Sequence, residues 1–411
     1  MKNLLLIALM AFSLVVGAVD VDVDADEQSQ LQELMSLHQS LDKQIREAFA
    51  KKDYSRAAEL NYQALSLIDQ HRDVLMPIVG GERQLNGIKG YYHYDLACAY
   101  SRRGMTEGAF YHLQQAVRCD YNDWKHILED HDLDILRHDP RLDEAIATIR
   151  NRADYLLVLK QAAPYARNEH TDSLPTFTFQ SPDNPDLRRV RAHFKLDSVA
   201  GYGDELSKIK NIMTYVHNLI KHDGQHANPA HLNAIDMAEA CRDGSRGLNC
   251  RGLAIVLSEC YLAMGIPAHH VTCMPKEYIN DCHVINSVWS SQLKKWIWID
   301  PSFNAWVTDE KGNLLSIQEV RDHLRNDVPV VLNNEANWNN QEKQTTEHYL
   351  YEYMAKNLYY VYVTANQEYG IEDPGVDNKA TFVALTPHGF TPDHFDGLTV
   401  SDDQWFWQAP K

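Results

Sequence analysis

A chain of 411 residues that is 44% hydrophobic and 10% aromatic carries enough apolar material for two or three domains with cores of their own. Its formal net charge of -18 makes most of the surface repel phosphate backbones, which excludes nucleic acid as an expected partner. Seven cysteines are an odd number, so an exported form of the chain would keep at least one free thiol; sequence does not fix how the other six pair or whether they stay reduced.

Lys2, the apolar run Leu4 to Val16 and the small residues Val16-Gly17-Ala18 read as the three regions of a secretory signal over 1–18, followed by an acidic stretch from Val19 to Glu27. The expected location is therefore exported, periplasmic or secreted. No cysteine sits at the junction to carry a lipid, and no later span is long enough to cross a bilayer once the signal is removed.

From Gln28 to about Ile149 the pattern is helical, and a helical-repeat region is expected over 25–160. Leu96, Ala97, Tyr100, Gly104, Ala109, Leu113 and Ala116 have the spacing of two antiparallel helices packed around a glycine turn, which resembles a tetratricopeptide repeat. A weaker copy runs from Ala48 through Asp53 and Ala58 to Tyr62, with Asp53 where the turn glycine would stand. Helices at Trp124 to Leu128 and Leu142 to Ile149 are expected to cap the stack. Cys98 and Cys119 fall in helical patterns where a small hydrophobe serves as well.

Pro164, Pro175, Pro182 and Pro185 among polar residues predict a linker over 161–200. A helix then begins near Asp204, with Leu206, Ile209, Ile212, Met213, Val216, Leu219 and Ile220 on one face, and Asp223-Gly224 ends it. Gly247-Leu248-Asn249-Cys250 precedes a strongly helical run that Gly265 and Pro267 stop. Cys250 thus sits in a first turn, where unpaired N–H groups and the positive end of the dipole favour thiolate and can receive an oxyanion. Strands follow at Ala268 to Met274, His283 to Trp289 and Lys294 to Asp300. A four-residue loop Ser290 to Leu293, closed with Trp289 opposite Lys294, sets His283 directly across from Asp300, on one face of the sheet. A one-residue slip would separate them.

Asn249-Cys250-Arg251-Gly252, Met264-Gly265-Ile266-Pro267-Ala268, Asp281-Cys282-His283-Val284 and Trp298-Ile299-Asp300-Pro301 together resemble the successive motifs of the transglutaminase-like superfamily, in order. The likeness covers about Leu206 to Leu324. It implies an α+β, papain-related cysteine domain over 201–330, with a helix bearing the cysteine packed on an antiparallel sheet, behind the all-α helical-repeat region and before a strand-containing extension over 331–411. It also implies Cys250 as nucleophile, His283 as general base and acid, and Asp300 as the group that orients the imidazole. The activity implied is acyl transfer on amide bonds of a peptide or protein substrate, hydrolysis ahead of transamidation, with no cofactor. The alternative is a non-catalytic scaffold whose helical repeats bind a protein partner.

Other residues carry blander readings. His269 and His270 lie in a strand with no evident carboxylate partner and are taken as structural. Strand alternation aims Cys282 away from the face of His283, and a Cys273–Cys282 disulfide is a minor alternative. The Cys and His residues from Cys241 to His283 lack zinc-ligand spacing, so no metal is expected. Candidates for an oxyanion or substrate donor are Gln225, His226, His231 and Asn249. The aromatic residues Tyr349, Tyr351, Tyr353, Tyr359, Tyr360, Tyr362, Trp405, Phe406 and Trp407 read first as core or sheet extension and second as the lining of a substrate groove.

Overall fold

The computed structural model describes residues 25–166, 174–278, 281–375 and 380–411, so the expected signal at 1–18 lies outside the described residues. The chain divides into two compact units, Met1–Asp154 and Tyr155–Lys411.

The first unit is helical, with helices Ala25–Ala50, Tyr54–Gln70, Arg72–Val79, Glu82–Arg102, Thr106–Arg118, Trp124–Glu129 and Pro140–Ala153. Two of its reversals are closed alike. Lys52 (φ 58°) is followed by a bond from Asp53 N to Ala48 O, and Gly104 (φ 74°) by one from Met105 N to Tyr100 O. The left-handed residue of the first turn is thus Lys52. Asp53 is instead the cap of the next helix, its carboxylate accepting from Arg56 N at 3.0 Å. Ala57, Leu60, Ala64, Leu96 and Ala99 form one buried cluster, and Leu113, Ala116, Ile127, Leu142 and Ile149 a second.

In the second unit a six-stranded sheet is built from β1 (Ala268–Met274), β2 (His283–Ser290), β3 (Lys295–Ile299), β4 (Tyr360–Thr364), β5 (Phe382–Leu385) and β6 (Leu398–Val400), in the order β6-β5-β4-β1-β2-β3. Only the β5–β6 pair is parallel. Half of the sheet therefore comes from residues beyond 330, and β4 pairs directly with β1. Alternate residues face opposite ways. Val271, Cys273, Ile285, Trp298 and Val361 bury one face with Val320, Leu324, Tyr349 and Met354. Ala268, Val288, Ile297 and Ile299 bury the other against Leu253, Val256, Leu257 and Tyr261 of the Cys250–Ala263 helix and against Ile209, Met213 and Val216 of the Glu205–Leu219 helix.

Two sequence expectations are corrected here. The proline-rich stretch read as a linker contains helices Pro185–His193 and Leu196–Ala200, whose Leu187, Val190, Phe194 and Leu196 are buried with the Cys250 helix. Asn184 caps the first of them, and Pro185 starts it at a position where no N–H is needed. The β2–β3 hairpin is also closed differently: Ser290 pairs with Lys295 and Trp289 with Trp296, so the loop is Ser291 to Lys294. Lys294 takes a left-handed turn (φ 54°), and the Glu205 carboxylate holds the loop by accepting from Ser291 N at 3.0 Å, Gln292 N at 2.9 Å and Ser290 Oγ at 2.6 Å. Relative to the expected pairing the register moves by two residues. An even shift preserves the face, so His283 and Asp300 become diagonal neighbours on one side of the sheet.

Candidate active site

Placement of Cys250 begins with its own neighbours. Asn249 caps the helix, its side-chain oxygen accepting from Gly252 N at 3.1 Å, and Cys250 is the first helical residue. The preceding segment is pinned to the chain 25 residues earlier by bonds from Asp223 N to Leu248 O (2.7 Å) and from Leu248 N to Lys221 O (3.2 Å). Gly247 permits that approach, since a Cβ there would lie 2.2 Å from Lys221 O. The bridge sets His222 opposite Leu248, beside the cysteine.

Cys250 is partly buried, and the side chains of His222 and His283 and the backbone N–H of Val284 bear on its sulfur. Burial alone would push the thiol up. The two imidazoles, the charge on His283 and the Val284 N–H outweigh it and bring the thiol down to about 6. His283 is fully buried, with Nε2 2.7 Å from Asp300 Oδ2 and Nδ1 making no hydrogen bond among the described residues. Burial would lower this imidazole, but the Asp300 charge and hydrogen bond, with a further contribution from Cys250, raise it to about 10. Between these limits the pair rests as thiolate and imidazolium.

Asp300 is fixed in turn. Its Oδ2 also accepts from the Tyr349 hydroxyl at 2.6 Å, and its Oδ1 from Ser302 N at 2.8 Å, while Trp298 Nε1 donates to the Tyr349 oxygen at 3.2 Å. Phe303 and Tyr353 pack against the His283 ring at centroid distances of 5.5 and 5.2 Å. A carboxylate with all these donors cannot rotate freely, and the imidazole it holds keeps one orientation.

Arg251, next to the cysteine, bonds both Glu372 oxygens at 2.8 and 2.9 Å, Thr272 Oγ1 at 2.9 Å and the Tyr362 hydroxyl at 2.8 Å. His270 also meets Glu372, at 2.8 Å. His270 thus has the carboxylate partner that its sequence neighbourhood did not offer, supplied 102 residues later. His269 is packed among Phe177, Phe179 and Trp296 and is held down to about 3 by burial.

The structure brings Cys250, His283 and Asp300 together. It does not bring the four donor candidates to the sulfur. Gln225 is exposed, with its backbone N on Asp223; His226 is exposed and bonds Asp223 at 2.7 Å; His231 faces Asp373 at 3.3 Å; and the Asn249 oxygen is used by the helix cap and by Asn228 Nδ2 at 2.8 Å. The side chain that does lie beside the sulfur is His222, which sequence reasoning passed over because its contacts, Leu248 and Trp338, are distant in the chain. Tyr349 likewise reads as one tyrosine among many until the fold sets it on Asp300. All seven cysteines are free. Cys273 pairs across from His283, and Cys282 therefore points to the other face, which rules out a bridge between the two. Among the described residues no group of three His, Cys, Asp or Glu side chains could hold a metal ion.

Residues 192–301 match the family model described as Transglutaminase-like superfamily, a span that includes Cys250, His283 and Asp300. No curated protein matches the chain, and no solved structure does. The superfamily consists in general of cysteine enzymes. A helix that delivers a cysteine to a histidine on an antiparallel sheet, in the segment that carries the match, makes residues 192–301 a transglutaminase-like superfamily domain set in an α+β unit after an N-terminal helical region.

Proposed function

We propose that this chain is an exported cysteine enzyme that transfers acyl groups from amide bonds of a peptide or protein, with Cys250 as nucleophile, His283 as acid and base, and Asp300 as the orienting carboxylate. The observation that carries the reading is the sulfur itself. It opens a helix, lies beside His222, His283 and the Val284 N–H and is partly exposed, while its imidazole partner is held by a buried carboxylate.

Thiolate attack on the carbonyl carbon forms the C–S bond and moves the π electrons onto oxygen, where N–H groups at the helix start and His222 offer donors. The oxyanion then collapses, the C–N bond breaks, and the proton on His283 Nδ1 goes to the departing nitrogen. Water next attacks the thioester as His283 takes its proton, and the thiolate leaves. Hydrolysis is placed ahead of transamidation, and Cys250 keeps part of its surface exposed. The N-terminal helices, in this reading, dock a protein partner or the substrate.

Iodoacetamide or an amide-directed thiol probe should label Cys250, and in His283→Ala the pH midpoint of that labelling should move up while the fold persists. The same midpoint in both proteins would favour a scaffold that has kept its residues without turnover. Incorporation of an amine probe into a glutamine-bearing protein, in place of release of free acid, would mark a transamidase.

A further inference from the structure

We propose that the hairpin Asn337–Lys343, which lies outside the matched family segment, is a positioning device that locks His222 as a neutral Nε2–H donor toward Cys250, with Trp338 setting the tautomer; this rests on the reading of Cys250 as the nucleophile. The hairpin pairs Asn337–Trp338 with Glu342–Lys343 and turns through Asn339 and Asn340, both left-handed at φ 53° and 56°. Asparagine tolerates that conformation better than most residues, which presents the Asn339 side chain from a tight turn.

Four side chains of the hairpin reach His222 and the end of the helix before it, Asn340 by a bond from its Nδ2 to Asn218 Oδ1 at 2.8 Å. Trp338 Nε1 lies 3.3 Å from His222 Nδ1. Asn339 Oδ1 accepts from His222 N at 2.6 Å while its Nδ2 donates to His222 O at 2.9 Å, which is what a strand partner would do for that backbone. Asn337 Oδ1 meets His217 Nε2 at 3.1 Å, in the last turn of the Glu205–Leu219 helix.

The indole N–H is a donor and nothing else, so His222 Nδ1 must be the acceptor and carries no proton. A neutral ring then has its hydrogen on Nε2, the nitrogen left to face the sulfur. The two histidines on the sulfur are thereby given different work by the chemistry of their far partners. Carboxylate behind His283 favours imidazolium, and indole behind His222 makes Nδ1 the acceptor and leaves the hydrogen on Nε2. The leaving group can take a proton only from His283, while the His222 N–H stays in place through the cycle to hold developing negative charge.

The test uses the full chain with 15N-labelled histidine, the His222 signals being assigned by their loss in His222→Gln. The expected wild-type pattern at neutral pH is the Nε2–H tautomer. In Trp338→Phe, which keeps the ring and removes the donor, the signals should move to a mixture with Nδ1–H or to the protonated ring. Turnover of p-nitrophenyl acetate should then fall about tenfold in kcat with KM unchanged. A protonated Nδ1 in the wild type, or an unchanged pattern in Trp338→Phe, overturns the proposal. The wild-type spectrum decides even if the variant fails to fold. Absence of acylation at Cys250 in the wild type would instead sink the enzyme reading and leave the tautomer result standing.

Discussion

His283→Ala tests the thiolate at its source. A thiol brought from 9.0 to about 6 is a thiolate favoured by about 4 kcal/mol, against burial that acts the other way. One charge-assisted hydrogen bond supplies about 1.5–3 kcal/mol, and the attraction of a buried imidazolium adds to it, so the variant should move the thiol up by roughly two to three pH units. The rate at a single pH is a poor readout. For three units the thiolate at pH 7 falls from about nine-tenths to about one per cent, but a more basic thiolate is about twenty- to thirtyfold more nucleophilic, so most of the loss is masked. The midpoint is the useful quantity. Iodoacetamide rates should be followed from pH 4 to 10 by mass spectrometry of the Cys250 peptide, which separates it from the six other cysteines. The wild-type curve should rise through about pH 6, because the thiolate is present above that value and lost below it. A His283→Ala midpoint that stays within half a unit of the wild type would refute the argument and leave His222, Val284 and the helix start as the source of the stabilisation.

Further predictions follow from the surroundings of the site. Tyr349→Phe removes the 2.6 Å bond to Asp300 and strands the Trp298 N–H, and should cost about 1–3 kcal/mol in urea unfolding together with a fall in turnover. Gly247→Ala drives a Cβ to 2.2 Å from Lys221 O; it should lower stability by about 1–3 kcal/mol and weaken labelling of Cys250 by prying His222 away, whereas Gly87→Ala, with open space around it, should leave labelling unchanged. Glu259 is buried on the Cys250 helix, and burial pushes its carboxyl up to about 8 even though it accepts from Ala234 N and Gly370 N at 2.7 and 2.9 Å. A carboxyl raised on folding gives stability that is full below its ordinary value of 4.5 and is lost as pH rises through about 8, so Glu259→Gln should flatten the decline of Tm across that window; an unchanged slope would contradict this. Export predicts a mature protein beginning at Val19, and intact-mass analysis of protein collected outside the cytoplasm, still carrying Met1, would count against it.

Sequence carried the parts of the site that lie in short contiguous motifs. Asn249-Cys250 announces a capped helix start, and the parity of β2 and β3 puts His283 and Asp300 on one side whichever even register closes the hairpin. The loop itself was not legible, because its length is set by the Glu205 carboxylate from a helix 85 residues earlier and by a left-handed Lys294, neither of which has a local signature. Distance in sequence hid the remaining partners as well. His222 is defined by Leu248 and Trp338, His270 and Arg251 by Glu372, and Asp300 by Tyr349; each pairing is long-range, and nothing in the residue types alone selects one tyrosine or one tryptophan from many. The linker expectation failed for a related reason. Prolines that break a pattern also begin helices, and only the burial of Leu187 and Val190 distinguishes the two.

The residues beyond the matched segment are then part of the site's construction. Tyr349 and Tyr353 lie four residues apart on a π-helix, Glu347–Met354, that sets the first on Asp300 and the second on His283; Trp338 and Asn339 hold His222; Glu372 neutralises the Arg251 guanidinium beside the nucleophile. A fragment ending at Pro301, where the family match stops, would keep Cys250, His283 and Asp300 yet lose the Ser302 and Tyr349 donors that fix the carboxylate and the Phe303 and Tyr353 rings that pack on the imidazole. It would also lose β4, and with it the hydrogen-bonded neighbour of β1, exposing Val271 and Cys273 on a sheet edge. The triad as three side chains is therefore a poor unit of function here. The smallest unit that could hold a thiolate and an imidazolium in register runs from the helix beginning at Glu205 through at least the loop that carries Glu372.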